Sequence, residues 1–318
     1  MKLDRMSYRK IAVIGCGFVG SASAFSIMQS GIFSEIVMID ADNPRAEGEA
    51  MDISHGIPLS SPTKIYAGDY DDVGDASLVV ITAGANQKPG ETRLDLAKKN
   101  ISILKSILNE IKKSGFGGIL LIVANPVDVL TSVAVKLSGL PENMVLGSGT
   151  VLDSSRLRYE LGKRLLIDPR NINAYVLGEH GDSEFVAWSN ANVAGIQLSK
   201  FCEMRGYTNF DEEKSDIVDA VKNSAYRIIE RKKATYYGIA ISVKKICEVI
   251  MRDEKAILPV SSVLHGEYDI DGVSLSIPTI VGKNGIETRI PIQLSDQELE
   301  SLKKSSNALK DVLSKNDF

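Results

Sequence analysis

The chain has 318 residues, of which 44% are hydrophobic and 25% charged, and its formal net charge is -4 at pH 7. This length exceeds what one ordinary hydrophobic core supports, so we expect two domains that share a cleft. The mildly negative charge gives no electrostatic reason to expect nucleic acid or an anionic membrane as a partner. A small anionic substrate would therefore have to be bound by local arginines.

The three cysteines, Cys16, Cys202 and Cys247, are far apart in the sequence and form no CxxC pair. Such a scattered, odd set argues against a disulfide framework or a metal site and is typical of a reducing compartment. No segment approaches the roughly 18 apolar residues that span a bilayer, and the charged N-terminus is not followed by the apolar core of a signal peptide. We therefore expect a cytoplasmic protein without a metal.

The first half alternates short apolar runs with helix-length stretches. Buried strands separated by helices predict a parallel sheet covered on both faces, and short crossovers favour right-handed βαβ units. The sequence thus predicts an α/β fold with a doubly wound parallel sheet over residues 1–150. The predicted strands are 10–14, 35–40, 64–67, 78–83, 119–124 and 144–147, with helices between them such as 96–113 and 127–137.

The second half has a different pattern. Apolar residues at helical spacing predict helices around 217–229 and 239–250, and the strand-like runs 256–264 and 273–281 precede a turn at 283–285. Ser295 and Glu298 have the spacing of a capping box and predict a last helix. We expect an α+β substrate-binding domain over 151–318, with part of 235–255 packing back on the first domain.

A glycine motif, Gly15-Cys-Gly17-Phe-Val-Gly20, directly follows the first predicted strand and opens a helical run. The glycines allow a tight turn and let a pyrophosphate approach the positive end of the helix. Asp40 ends the second strand about 20 residues later, where an acid binds both ribose hydroxyls and repels a 2′-phosphate. Asp40 alone could simply end its strand; with the glycines, it predicts a Rossmann domain that binds NAD.

Other strand ends should line the same cleft, because ligands of open parallel sheets bind beyond the carboxyl ends of the strands. The fourth predicted strand ends at Gly84 and the fifth is followed by Asn125, which could be a turn residue but is better placed for a ligand role. The predicted cofactor contacts are Gly15, Gly17, Phe18, Val19, Gly20, Asp40, Thr82, Ala83, Gly84, Val123 and Asn125.

One of the three histidines has the surroundings of a catalytic group. Hydride transfer to a ketone needs a proton donor near neutral pH, and histidine suits that task. His180 lies in a polar segment between two glycines, whereas His55 and His265 lie in turn-like segments typical of surface residues. His180 is therefore the candidate acid and base.

A donor histidine needs an orienting carboxylate, and Asp153 is a candidate at the start of a predicted helix. Asp153 could also cap that helix or pair with Arg156 three residues later. Residues 84–93 have glycines that suit a lid carrying Arg93 over a substrate, although a surface connection with a solvated arginine explains them as well. The residues alone leave these alternatives open.

Together these segments resemble the lactate/malate dehydrogenase family, and its L-lactate branch in particular. The resemblance covers nearly the whole chain, and several ordered motifs of this length are highly specific. It implies an NAD-dependent dehydrogenase that interconverts pyruvate and L-lactate. The motifs are Ile11-Ala-Val-Ile-Gly, Gly84-Ala-Asn-Gln-Lys-Pro-Gly-Glu-Thr-Arg-Leu, Val123-Ala-Asn-Pro-Val-Asp, Gly147-Ser-Gly-Thr-Val-Leu-Asp, Gly178-Glu-His-Gly-Asp-Ser-Glu and Ala234-Thr-Tyr-Tyr-Gly-Ile-Ala.

The resemblance also implies a role for each site residue. His180 donates the proton, and Asp153 holds its imidazole. Arg156 binds the substrate carboxylate through two parallel bonds, and Arg93 polarises the carbonyl as negative charge develops on its oxygen. Two further substrate contacts are implied, Asn125 beside the nicotinamide and Thr235 beside the substrate side chain.

Gln87 decides the substrate branch. In the malate enzymes of this family an arginine at the matching position pairs with a second carboxylate, whereas this side chain is neutral. Oxaloacetate would bring an unpaired buried charge, at a cost on the order of 3–5 kcal/mol, while pyruvate brings a methyl group. We expect pyruvate to be preferred. The alternatives are a malate dehydrogenase, a dehydrogenase for larger L-2-hydroxy acids, and an NAD-binding structural protein without catalysis.

Two positions depart from the family pattern. Bacterial relatives that fructose 1,6-bisphosphate activates bind its phosphates with an arginine and a histidine; Arg158 matches the arginine, but Asn173 replaces the histidine, so we expect weak or absent activation. Lys233 stands where a glycine is expected, close to Thr235. The family further implies a homotetramer that works in glycolysis and fermentation.

Overall fold

The computed structural model describes residues 9–86, 90, 92–207 and 209–316. The strands in these residues are β1 (Lys10–Ile14), β2 (Glu35–Ile39), β3 (Lys64–Ala67), β4 (Leu78–Ile81), β5 (Ile119–Ile122), β6 (Val145–Gly147), β7 (Ile172–Asn173), β8 (Val176–Leu177), β9 (Phe185–Val186), β10 (Asn192–Val193), β11 (Ile196–Gln197), β12 (Ala256–Leu258), β13 (Ser261–His265), β14 (Asp271–Ser276), β15 (Thr279–Gly282) and β16 (Gly285–Arg289). The helices are α1 (Phe18–Ser30), α2 (Asn43–Ser54), α3 (Arg93–Lys113), α4 (Val127–Leu137), α5 (Val151–Leu165), α6 (Leu198–Met204), α7 (Phe210–Lys222), α8 (Ser224–Lys232), α9 (Tyr237–Met251) and α10 (Asp296–Ser314).

The largest sheet has eight strands in the order β14-β13-β6-β5-β4-β1-β2-β3. Strands β1 to β6 pair in parallel, and β1 lies between β2 and β4, with Ile11 opposite both Ile36 and Leu78. The strand order therefore reverses between β1 and β4, which creates a crevice at the carboxyl ends of these strands. The predicted α/β fold with a doubly wound, mostly parallel sheet is confirmed.

Two antiparallel strands from the second half of the chain complete this sheet. β13 pairs with β6 and with β14, so β6 is not an edge strand. Each of the strand-like runs 256–264 and 273–281 is divided between two sheets, because the chain changes sheet at Pro259 and at Pro278. Proline has no N–H to donate to a ladder. The residues before Pro259 and after Pro278 instead pair in a separate three-stranded sheet, β12-β15-β16.

The helices cover both faces of the large sheet and bring the two halves of the chain into one core. Val243 and Ile246 of α9 are fully buried and belong to the same apolar cluster as Ile27 of α1 and Val13 of β1. The predicted last helix is confirmed, since Ser295 and Glu298 form the expected capping box at the start of α10. A separate apolar cluster, around Ile217, lies entirely in the second half.

None of the helices in the part of the chain that the structure describes has both the length and the apolar character needed to cross a bilayer.

Candidate active site

β1 leads into α1 through a turn that two glycines make possible. Gly15 has φ of +100°, and a Cβ there would lie 2.5 Å from the backbone nitrogen of Ala83. A Cβ at Gly20 would lie 1.7 Å from the carbonyl oxygen of Gly15. At Gly17, by contrast, a Cβ would meet nothing within 4 Å, and no side chain caps α1 there. The turn thus leaves open space at the positive end of α1, where a phosphate group fits.

Asp40 follows β2, and two backbone amides orient its carboxylate. The N–H of Cys16 donates to Oδ2 at 2.5 Å, and the N–H of Asp42 donates to Oδ1 at 2.9 Å. Because each carboxylate oxygen accepts more than one hydrogen bond, the same group can also accept two ribose hydroxyls. The residues around β1 and β2 therefore fit a dinucleotide without a 2′-phosphate.

A groove of about 1520 Å³ runs along the carboxyl ends of β1, β2, β4 and β5. This volume exceeds the range of roughly 300–1,000 Å³ that is usual for small-molecule pockets and suits a dinucleotide. Val123 is buried, 8% exposed, and is not among the described residues that line the groove. The predicted residues that do line it are Gly15, Gly17, Phe18, Val19, Gly20, Asp40, Thr82, Ala83, Gly84, Asn125 and Thr235, and the sequence analysis had not singled out the lining residues Arg45, Tyr70 and Lys113.

Asn100, which the sequence analysis did not single out, ties together the loops that follow β4 and β5. Its buried side-chain amide donates to the carbonyl oxygen of Asn125 at 2.7 Å, and its oxygen accepts the N–H of Ala85 at 2.7 Å. The Asn125 side chain is left exposed beside the groove. Asn125 is therefore free to contact a ligand while its backbone is fixed.

His180, Asp153 and Arg156 form one hydrogen-bonded cluster. Nδ1 of His180 lies 2.6 Å from Oδ2 of Asp153, and Nη1 of Arg156 donates to Oδ1 of the same carboxylate at 2.7 Å. The helix-cap alternative for Asp153 does not describe the structure, because Thr150 is the N-cap of α5. With Nδ1 engaged, Nε2 of His180 is the ring atom that can exchange a proton with a ligand.

The buried carboxylate of Asp153 determines how the cluster is charged. Its negative charge raises the pKa of His180 to about 9, against the opposing effect of burial. Burial would raise the pKa of Asp153, but the charge of His180 and its pairing with Arg156 outweigh it and hold that pKa below its ordinary value. At neutral pH the imidazole is therefore protonated and the carboxylate ionised.

Asp128 fixes the backbone of the catalytic loop. This carboxylate, 1% exposed, accepts the N–H of His180 at 2.7 Å and the hydroxyl of Ser261 at 2.5 Å. Burial raises its pKa to about 6. Asp128 thus connects the first turn of α4 to His180 and to β13, a role that the sequence analysis did not assign.

Another titratable side chain, Glu184, lies beside this cluster, 3.9 Å from Nδ1 of His180. Asp153, His180 and Glu184 each have one side-chain atom that could coordinate a metal ion, and these three atoms lie within 4.8 Å of one another. However, the 2.6 Å between His180 and Asp153 is a hydrogen-bond distance, and Arg156 already supplies a cation to Asp153. The arrangement therefore suits proton exchange better than metal binding.

Several predicted residues are not described or lie elsewhere. Gln87 is outside the described residues, and only the backbone of Arg93, the first residue of α3, is described. Arg158 donates to the carbonyl oxygen of Ala174 at 3.2 Å, and Asn173 is exposed on β7. The remaining histidines are both exposed, namely His55 after α2 and His265 beside Glu142.

The described residues that line the groove do not include His180, Asp153 or Arg156. A groove that fits a dinucleotide, in the same chain as an imidazole paired with a carboxylate and an arginine, defines an NAD-dependent oxidoreductase. Residues 9–147 match the NAD binding domain of lactate/malate dehydrogenase, and residues 150–317 match its alpha/beta C-terminal domain. The chain belongs to the lactate/malate dehydrogenase family.

Individual relatives are similar to this chain over almost their whole length. The chain is 51% identical over 309 residues to an L-lactate dehydrogenase of Thermoanaerobacterium saccharolyticum, covering 97% of this chain and 99% of the relative. It is 50% identical over 305 residues to the L-lactate dehydrogenase of Acetivibrio thermocellus, with 96% of each chain covered. A minor L-lactate dehydrogenase of Enterococcus mundtii, solved with ligands bound, superimposes with a TM-score of 0.95 at 42% identity, over 98% of this chain and 99% of that one.

Proposed function

We propose that the chain interconverts pyruvate and L-lactate with NAD, and that His180 exchanges the proton while a hydride is exchanged at C2. The similarity to L-lactate dehydrogenases over nearly the whole chain supports this activity, and the chain is accordingly an NAD-dependent L-lactate dehydrogenase. The observation that carries the mechanism is the cluster of His180, Asp153 and Arg156, with contacts of 2.6 and 2.7 Å.

In the direction of reduction, His180 must be protonated before the reaction starts. The carboxylate of Asp153 ensures this, since it raises the pKa of His180 to about 9. Nε2 donates its proton to the carbonyl oxygen as that oxygen becomes an alkoxide, and the imidazole is left neutral. Lactate oxidation begins from the neutral imidazole, which accepts the hydroxyl proton. NADH, when bound, supplies the hydride.

Arg156 holds the carboxylate of the substrate. One of its nitrogens pairs with Asp153, and the guanidinium has five N–H donors, so the remaining ones are available for two parallel bonds to a carboxylate. Asn125 contacts the substrate and the nicotinamide, and Thr235 lines the wall beside the substrate side chain. Arg93, arriving with the loop before α3, polarises the carbonyl, and Gln87 leaves the far end of the substrate without a positive partner.

The direct test is the oxidation of NADH followed optically with pyruvate, with oxaloacetate and with a series of longer 2-oxo acids. We expect pyruvate to give the highest kcat/KM. Faster turnover of oxaloacetate would favour a malate dehydrogenase, and faster turnover of a bulky 2-oxo acid would favour a broader 2-hydroxy-acid dehydrogenase. If none of these substrates is turned over, the result would favour an NAD-binding protein without catalysis.

We further propose a cytoplasmic homotetramer that acts in glycolysis and fermentation, with domains at 1–150 and 151–318. The apolar side chains of Phe25 on α1, Met51 on α2 and Ile241 on α9 are between 46% and 62% exposed and would be covered by a second copy. Sedimentation analysis measures the number of chains in the assembly.

We also propose that fructose 1,6-bisphosphate activates the enzyme weakly or not at all. The test is to measure the KM for pyruvate with and without that ligand.

A further inference from the structure

Glu184 is a buried carboxyl group that the mechanism above does not use. Its Oε2 lies 3.9 Å from Nδ1 of His180, and the residue is only 5% exposed. Its backbone N–H donates to the carbonyl oxygen of Gly181 at 3.2 Å, which closes a turn in the same loop. Glu184 is therefore fixed beside the imidazole by the loop that carries it.

The charges around Glu184 come from three elements. Asp153 and Arg156 act on it from α5, His180 from its own loop, and Lys222 from the end of α7. Burial, followed by the negative charge of Asp153, raises the pKa of Glu184 to about 8, and the three cations oppose this rise. Glu184 therefore keeps its proton at neutral pH, while Asp153 is ionised.

Three carboxyl groups among the described residues act on His180. Asp153 bonds its ring directly, Glu184 approaches the ring at 3.9 Å, and Asp128 accepts its backbone N–H at 2.7 Å. All three charges favour the protonated imidazole. Asp153 is ionised throughout the working range of pH, and Asp128 ionises near pH 6. Of these three carboxyl groups, Glu184 is the one whose charge changes above neutral pH.

We propose that Glu184, whose buried carboxyl group lies 3.9 Å from the ring of His180, is a positioning residue that tunes the proton affinity of this imidazole with pH. The inference rests on the proposed role of His180 as proton donor. Ionised Glu184 holds the proton on the imidazole, so it extends pyruvate reduction to higher pH and delays lactate oxidation. The balance between the two directions therefore depends on a residue that need not touch the substrate.

Glu184→Gln tests this inference, because glutamine keeps the size and polarity of the neutral acid but cannot ionise. The basic limb of the pyruvate-reduction profile should move to lower pH by about one unit, the shift expected when a charge at this distance is lost. The rising limb of lactate oxidation should move in the same direction. Near pH 6.5, where Glu184 is protonated in the wild type, kcat should remain close to the wild-type value.

Two control variants separate charge from structure. Glu184→Asp keeps an ionisable carboxyl group and should keep the alkaline limb close to that of the wild type. Glu179→Gln removes a half-buried carboxyl group from the same loop, next to His180 in sequence, and should leave both profiles in place. A uniform loss of kcat in Glu184→Gln, without any shift of either limb, would show a merely structural role and overturn the inference.

Imidazole NMR gives a readout that does not depend on turnover, since the chain has only three histidines. In the wild type, the His180 signal should titrate in two steps, the first from Glu184 and the second from the ring itself. The first step should vanish in Glu184→Gln. A single-step wild-type titration would refute the inference even if that variant did not fold. Absence of pyruvate turnover would instead refute the proposed function, so the two failures are distinguishable.

Discussion

Asp153 has two partners, and its loss should affect them differently. In Asp153→Asn the charge that raises the pKa of His180 disappears, while the burial that lowers this pKa remains. Pyruvate reduction at pH 7 should therefore fall on the order of a hundredfold, with part of the loss recovered at lower pH. The measurement is kcat/KM for pyruvate from acidic to alkaline pH. If the limbs of the profile stay in place, Asp153 does not set the charge of His180.

Gln87→Arg tests the substrate branch at a single position. An arginine there would pair with the second carboxylate of oxaloacetate and leave pyruvate facing an unpaired cation. The ratio of kcat/KM values should shift toward oxaloacetate on the order of 10²–10³-fold. Asn86→Arg places the same charge one residue away and should not reproduce the shift. An unchanged ratio in Gln87→Arg would remove this residue from the account of specificity.

The sequence predicts the site residues that stand in short motifs. It does not predict those whose hydrogen-bond partners are distant in the sequence. His180, Asp40 and the glycines stand in short motifs, so their chemistry could be predicted. Asp128 acts on a loop 52 residues away, and Asn100 joins two loops that are separate in the sequence. No local pattern marks a buried polar group whose partner comes from another element. The role of Gln87 remains a prediction.

At the scale of single elements, α8 ends at a residue in a conformation that glycine prefers. Lys233 has φ of 71°, and its N–H donates to the carbonyl oxygen of Ile229 at 2.8 Å to close the helix. This is the position where the sequence departs from the expected glycine. A left-handed residue with a Cβ costs about 1 kcal/mol relative to glycine, so the helix end is strained.

Lys233→Gly should therefore raise the free energy of unfolding by about 1 kcal/mol. Lys233→Ala is the matched control, since it removes the ammonium group but keeps the Cβ, and it should give no such gain. Urea denaturation of the three proteins measures the difference. An equal gain in both variants would mean that the charge of Lys233 destabilises the fold, and no gain in either would mean that the helix end carries no strain.

Elements that depend on local sequence were predicted closely, and those that depend on the sheet they join were not. β1, β3 and α4 have the predicted bounds, because each is a single apolar run or helical pattern between turn residues. The run 256–264 is mostly apolar, yet it supplies β12 to one sheet and β13 to another. Pro259 signals the break, but not which sheet each part joins.

Across the whole molecule, the second half of the chain completes the structure of the first. β13 covers the edge of β6, and α9 packs its buried face on α1. The groove has lining residues from both halves, including Gly17 and Thr235. A cofactor bound in this groove would contact both halves at once and so stabilise them together.

Such a shared core predicts that the two halves unfold together. Ile246 of α9 is fully buried in the cluster that contains β1 and α1, while the single tryptophan, Trp188, packs at the separate cluster of the second half, 6.1 Å from the ring of Phe210. Ile246→Ala should reduce the free energy of unfolding by about 2–5 kcal/mol. Circular dichroism and Trp188 fluorescence should follow the same transition in urea at a fixed chain concentration.

Ile217→Ala removes an equally buried isoleucine from the cluster beside Trp188 and should shift both signals alike. If Ile246→Ala moved the dichroism and left the fluorescence transition where it was, the halves would unfold independently, and α9 would not couple them.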